Sequence, residues 1–214
     1  MPYCNGGELF NHLQQSGRFS EPLARYFFKQ VISGLSSLQR TGVCHRDMSL
    51  ENILVHQNDI VIIDLGMCLR VPFAPADDSA QGQVDVTFCT LRRLMSPQGQ
   101  CGKPNYISPE VLVNREPFDG FTIDTWAAGV ILFILLVGLP PWDWATPDDA
   151  RFRMIALDGQ LGEMLKQWGR PISPMAENLL QGIFRWDPRR RMTFGQVMDH
   201  PWVRDVEVQL PNFL

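Results

Sequence analysis

The sequence predicts an α+β domain, mainly helical, with one or two short β-hairpins. Three observations carry that prediction. Ala24, Phe27, Phe28, Val31, Ile32, Leu35 and Leu38 recur at three- and four-residue steps, the spacing of one helix face. Trp126 to Trp142 holds no charged residue, is shorter than the about 20 residues a spanning helix needs, and closes on Gly-Leu-Pro-Pro. A helix apolar all round belongs in the middle of a domain, with other helices packed against it. Ile53-Leu54-Val55 and Ile60-Val61-Ile62-Ile63 are β-branched runs separated by His56-Gln57-Asn58-Asp59, which reads as a small hairpin.

The other elements follow in order. Gly6-Gly7 precedes a short amphipathic helix from Glu8 that ends near Gly17. Ser20 is a candidate N-cap for the long helix, with Pro22 in its first turn and Thr41-Gly42 as its stop. Residues 67–107 lack periodicity and hold Pro72, Pro75 and Pro97, which predicts a long loop. Helices are expected after Asp124, from about Pro147 to Leu157, from about Pro174 to Phe184, and from about Phe194 to Met198.

At 214 residues, 45% hydrophobic and 20% charged, the chain has the apolar content for a sizeable core, which excludes disorder as its dominant state. A net charge of −4 argues against the whole chain as a basic nucleic-acid binder, though local patches stay open, and the short Trp126–Trp142 run argues against a membrane span, so neither nucleic acid nor membrane is expected as a partner. Cys4, Cys44, Cys68, Cys89 and Cys101 are widely spaced and form no CxxC, which points to free thiols in a reducing compartment, cytoplasmic with the nucleus as alternative. Met1 to Gly7 lack the charged and apolar regions of a secretory signal.

The chemistry lies in three pieces. His45-Arg46-Asp47 is followed five residues later by Asn52, the hairpin leads to Asp64-Leu65-Gly66, and Ser108-Pro109-Glu110 comes after the long loop. This order resembles the protein kinase family, whose signatures are H-R-D-x-x-x-x-N, D-F-G and A-P-E. Further stretches agree. Met1 to Phe10, with its GGELF, looks like a hinge running into the first helix of the C-terminal lobe. Cys101-Gly102-Lys103-Pro104-Asn105-Tyr106 looks like the substrate-binding loop, Asp124-Thr125-Trp126 like the start of the central helix, and Asp187 to Arg191 like D-P-x-x-R. His200-Pro201-Trp202 is similar to the final helix of the calcium/calmodulin-dependent group. The resemblance covers essentially all of 1–214 and implies a partial kinase domain, hinge and C-terminal lobe, with a long activation segment over 64–110.

Phosphoryl transfer needs charge neutralised on the phosphates and a hydroxyl held in line. On the resemblance, Asp47 accepts the proton of the substrate hydroxyl, Asn52 and Asp64 supply oxygen ligands to Mg²⁺, and Glu8 contacts the ribose of ATP. For Glu8 a solvated carboxylate favoured by the helix dipole is an equal alternative. The resemblance implies structural work for five others: His45 packs inside and bonds backbone, Asp124 receives backbone N–H groups of the catalytic loop, Glu110 and Arg191 form a buried ion pair, and Arg46 meets an activation-loop phosphate. The segment holds Ser79, Thr87, Thr90 and Ser96 and the pair Arg92-Arg93; Gly99 stands where a related branch has threonine, Ser96 and Thr90 are the candidate substitutes, and a disordered surface insertion without a regulatory role is an equal alternative.

Departures from the family are informative. No G-x-G-x-x-G or V-A-I-K precedes Tyr3, so the N-terminal lobe is expected to be absent and the chain alone to transfer negligible phosphate. Ser49 occupies a position where Ser/Thr kinases carry lysine, and Lys103 a position where they carry a hydroxyl. The two changes are reciprocal, which makes Lys103 a candidate to return the missing charge from across the cleft; drift in a dead enzyme is the alternative. The resemblance therefore implies an ATP- and Mg²⁺-dependent serine/threonine kinase of the calmodulin-dependent-like group, acting on a protein substrate and subject to an upstream kinase. The other reading is a pseudokinase or isolated-lobe scaffold with a partner face near Glu8, Phe118 and Trp142.

Overall fold

A computed structural model describes residues 4–74, 82–85 and 90–204. Its helices are α1 (Leu9–Ser16), α2 (Glu21–Arg40), α3 (Pro109–Val113), α4 (Gly120–Val137), α5 (Ala150–Phe152), α6 (Leu161–Gln167), α7 (Pro174–Ile183), α8 (Phe194–Asp199) and α9 (Pro201–Arg204). Its strands are β1 (Val43–Cys44), β2 (Ile53–His56), β3 (Asp59–Ile62), β4 (Leu69–Arg70), β5 (Phe73–Ala74), β6 (Gly82–Asp85) and β7 (Thr90–Arg93).

The core is built round α4, whose residues are buried almost without exception. The amphipathic α2 lays Ala24, Phe27, Phe28, Val31, Ile32 and Leu35 against it, and α7 and α8 cover other sides. Close approach is allowed by Gly129, where a Cβ would lie 2.6 Å from Ile183. At the far end Trp142 stacks on Trp126 at 5.2 Å and meets Phe184 edge-on at 4.9 Å. The central helix starts earlier than its sequence suggests. Gly120 to Ile123 form its first turn, and the Asp119 carboxylate caps it by accepting from Phe121 N–H.

Glu21 ties three helices together. Its carboxylate accepts from Ser173 Oγ and Trp202 Nε1, both at 2.6 Å, and from Ser173 N–H at 3.1 Å. The starts of α2 and α7 are thereby joined to α9. These hydrogen bonds outweigh burial and hold the Glu21 carboxyl below its ordinary pKa.

β2 and β3 form the hairpin, paired Ile53 with Ile62 through His56 with Asp59. The turn is only Gln57-Asn58, with Gln57 at φ +56°. The long loop expected over 67–107 is corrected. β4 pairs with β1, and β5, β7 and β6 make a three-stranded antiparallel sheet in that order. The β1–β4 pair is extended by Val71 N–H donating to Gly42 O, a partnership no local pattern reveals. The expected 147–157 helix is also different: Asp149 caps the single turn α5, and Arg153–Leu157 continues as a wider π-type turn. α3 and α6 are further helices that the sequence pattern did not mark.

Candidate active site

The site is assembled on the loop between β1 and β2. Asp124, buried within α4, accepts from His45 N–H at 2.6 Å and from Arg46 N–H at 2.8 Å. Two successive amides can aim at one carboxylate because the chain turns sharply here, with Arg46 at φ +69°. Strain of this kind persists only where its surroundings enforce it, and it clusters at functional sites. Burial pushes the Asp124 carboxyl up to about 6, partly opposed by those two N–H groups.

His45 is fully buried. Asp47 N–H points at its Nδ1 (3.3 Å) and its Nε2 lies 3.0 Å from Ile63 O, the pattern of an imidazole with its proton on Nε2. Ile63 is bonded on its other side too, its N–H donating to Asn52 O at 2.9 Å. One residue at the end of the hairpin is thus held by both ends of the 45–52 loop, and Asp64 follows it directly. Asn52 Nδ2 donates to Asp47 O at 2.7 Å and to Asp47 Oδ2 at 3.2 Å. Asp64 is exposed, at φ +62°, with Oδ1 accepting from Gly66 N–H at 3.2 Å.

This donor set fits a hard cation. The Asn52 amide nitrogen is spent on Asp47, which leaves its oxygen for a ligand, and Asp64 adds an accessible carboxylate. Mg²⁺ takes one or two such oxygens together with phosphates and water. Among the described residues no cluster of three or more His, Cys, Asp or Glu side chains could hold a metal alone.

Ser49 is almost fully buried, and Lys103 Nζ lies 3.2 Å from its hydroxyl. The same ammonium is 2.8 Å from Glu51 Oε2, a residue that sequence reasoning passed over although it stands between Ser49 and Asn52. Arg46 reaches into the 64–110 segment, Nη2 donating to Gly99 O at 2.9 Å and Nη1 to Met67 O at 3.4 Å. Glu8 sits half-buried at the N-cap position of α1, bridged through its backbone to Leu54.

Behind the site Arg191 has no exposed side-chain surface. It grips Glu110 with two bonds of 2.8 and 3.0 Å, donates Nε–H to Arg185 O, and stands 4.6 Å from the centre of the Trp126 ring. One other expectation changes. Phe118 and Trp142 are buried, Trp142 within the aromatic cluster and with its Nε1–H on Asn105 O, so their side chains present no partner face. Arg92 pairs with Asp119. Ser79 and Thr87 lie outside the described residues, as do Met1 to Tyr3 and the side chain of Thr90; Ser96 is exposed.

The profile of the protein kinase domain matches residues 1–203. The chain belongs to the protein kinase family. It is 35% identical over 206 residues to the rice serine/threonine-protein kinase SAPK9, which covers 94% of this chain and 51% of that protein. Rice SAPK2 is 36% identical over 205 residues, covering 94% and 54%, and SRK2C of Arabidopsis thaliana 35% over 208 residues, covering 94% and 53%. The chain spans about half the length of these curated relatives.

Proposed function

We propose that this chain carries the catalytic loop and cation-binding residues of an ATP-dependent protein serine/threonine kinase. The observation that supports the reading is the double hold on Ile63, by Asn52 on one side and His45 on the other, with Asp64 next in the chain and Asn52 bonded to Asp47. Asp47 is held against Asn52 and placed to accept the proton of a protein hydroxyl. Asn52 and Asp64 would hold Mg²⁺, which when bound would neutralise charge on the phosphates of ATP. Lys103, beside Ser49, is our candidate for the cation that the catalytic loop itself lacks, and Glu8 for a ribose contact.

We place the chain in the calmodulin-dependent-like group on GGELF, CGKPNY and HPW, with protein substrates, an upstream kinase acting on 64–110, and a cytoplasmic or nuclear site of action. We read the 214 residues as hinge and C-terminal lobe that transfer little phosphate alone. Cys44, Cys68 and Cys101 are free thiols, in keeping with that location. A non-catalytic scaffold is the competing reading, and the Lys103–Glu51 contact favours it, since a neutralised ammonium offers a phosphate less.

The test is γ-phosphate transfer to a protein by the native-length protein from its source. Asp47→Asn should lower the rate by about 10²-fold or more while leaving the unfolding midpoint in place. Transfer that persists in Asp47→Asn overturns the kinase reading, and no transfer in either protein supports the scaffold.

A further inference from the structure

The chain leaves β7 through Arg92, and this side chain turns inward. Its Nε donates to Asp119 Oδ1 at 3.2 Å and its Nη2 to Oδ2 at 2.6 Å, and its guanidinium lies 4.9 Å from the centre of the Phe121 ring. Both partners are nearly dry, with side chains 11% and 5% exposed. Three residues on, Met95 exchanges both backbone hydrogen bonds with Phe118, at 2.7 and 2.9 Å. Met95 Sδ also sits 4.0 Å from Cys44 Sγ. Gly120 makes the fit possible, because a Cβ there would lie 2.7 Å from Cys44 Sγ and 2.9 Å from Met95 Sδ. Residues 92–95 therefore grip 118–121 from two sides.

Asp119 does two jobs. It receives Arg92, and it caps α4 by accepting from Phe121 N–H at 3.0 Å and from Thr122 Oγ1 at 2.9 Å. A little over one turn further along the same helix, Asp124 holds the amides of His45 and Arg46. Further along the segment, Arg46 reaches the main-chain oxygen of Gly99. The stretch from β7 to α3 is thus held by two arginines whose partners belong to this chain.

We infer that the Arg92–Asp119 pair is a built-in latch that orders residues 92–107 against the start of α4 without a phosphate group. The latch works through the helix that fixes the catalytic loop. Calling this stretch an activation segment rests on the kinase reading; the latch rests on the contacts above. Removing one member of a buried charge pair strands the other, so the segment should open locally well before the domain unfolds.

Amide hydrogen exchange of the full chain after phosphatase treatment tests this. Peptides within 92–107 should be protected without phosphate. Arg92→Met should speed exchange there at least about tenfold, and in 43–50 to a smaller degree, while α7 stays unchanged. Asp119→Asn keeps an acceptor for the helix cap and should open the same peptides. The double variant should exchange no faster than Arg92→Met. Protection at 92–107 that appears only after phosphorylation overturns the inference, as does wild-type exchange in both single variants. If Arg92→Met exposes α7 as well, Arg92→Lys decides, since it keeps the charge but loses the two-pronged grip. Fast exchange confined to 92–107 then supports the latch, and wild-type exchange overturns it. Exchange is read without activity, so a failure of Asp47-dependent transfer would sink the kinase reading and leave the latch standing.

Discussion

Glu110→Ala should be among the most damaging single changes that leave the catalytic loop untouched. Arg191 has no exposed side-chain surface and Glu110 only 14%, so water cannot replace the carboxylate. The substitution strands two guanidinium donors that now bond at 2.8 and 3.0 Å, leaving only the Nε–H on Arg185 O and the contact with the Trp126 face. Breaking such a pair costs about 3–5 kcal/mol. For a domain of this size each kcal/mol lowers the midpoint by about 2–4 °C, so the fall should be about 6–20 °C. Urea unfolding followed by tryptophan fluorescence gives the free energy directly, with Trp126 next to the lesion. Adding Arg191→Met to Glu110→Leu removes both charges and should recover most of the loss, because a matched apolar pair has no stranded charge. A loss below about 1 kcal/mol for Glu110→Ala, at unchanged denaturant dependence, would refute the account of a dry, obligatory pair.

Three other outcomes are expected. In the native-length protein Lys103→Thr should lower phosphate transfer by about 10²-fold, and Ser49→Lys added to it should restore the rate; unchanged or higher activity in Lys103→Thr alone would end the idea of a charge exchanged across the cleft. Burial pushes the Asp124 carboxyl from the ordinary 3.8 up to about 6, so between about pH 4 and 6 the native state binds the extra proton and this residue's contribution to stability falls as pH rises. Comparing the pH dependence of unfolding in wild type and Asp124→Asn isolates that slope, which should be absent in the variant. Cys44 is fully buried and its thiol is pushed up to about 12 by burial, so iodoacetamide at pH 8 should modify it only after urea is added; native-state labelling would contradict the packing around Met95 and Gly120.

Much of this molecule can be read from residue order, for physical reasons that also mark where reading stops. α2 announces itself because its buried positions follow one period for five turns, and the hairpin because β-branched residues flank a short polar turn. Motifs such as His45 to Asn52 are local, so their spacing survives in the sequence. Pairings at long separation do not. β1 finds β4 some 26 residues away, Arg92 finds Asp119 across 27, and nothing near either partner advertises the other. Trp142 shows a related limit. Prolines and an aspartate beside it suggest a surface, while its ring completes a cluster with Trp126, Phe152 and Phe184. Glu51 was missed for the opposite reason: an acidic residue in a loop is common, and only Lys103 beside it gives it meaning.

The all-round burial of α4 has a consequence for biosynthesis. A polypeptide is made from its N-terminus, so when Val137 has emerged, α2 is available to cover one flank of this apolar rod while α7, beginning at Pro174, does not yet exist. Until residues 138–173 and then α7 are made, the flank that Ile183 and Phe184 will cover faces water, with Gly129 as an open slot on it. The unfinished chain therefore exposes more sticky surface than the finished one, and holding that flank until α7 arrives is the step at which self-association competes with folding.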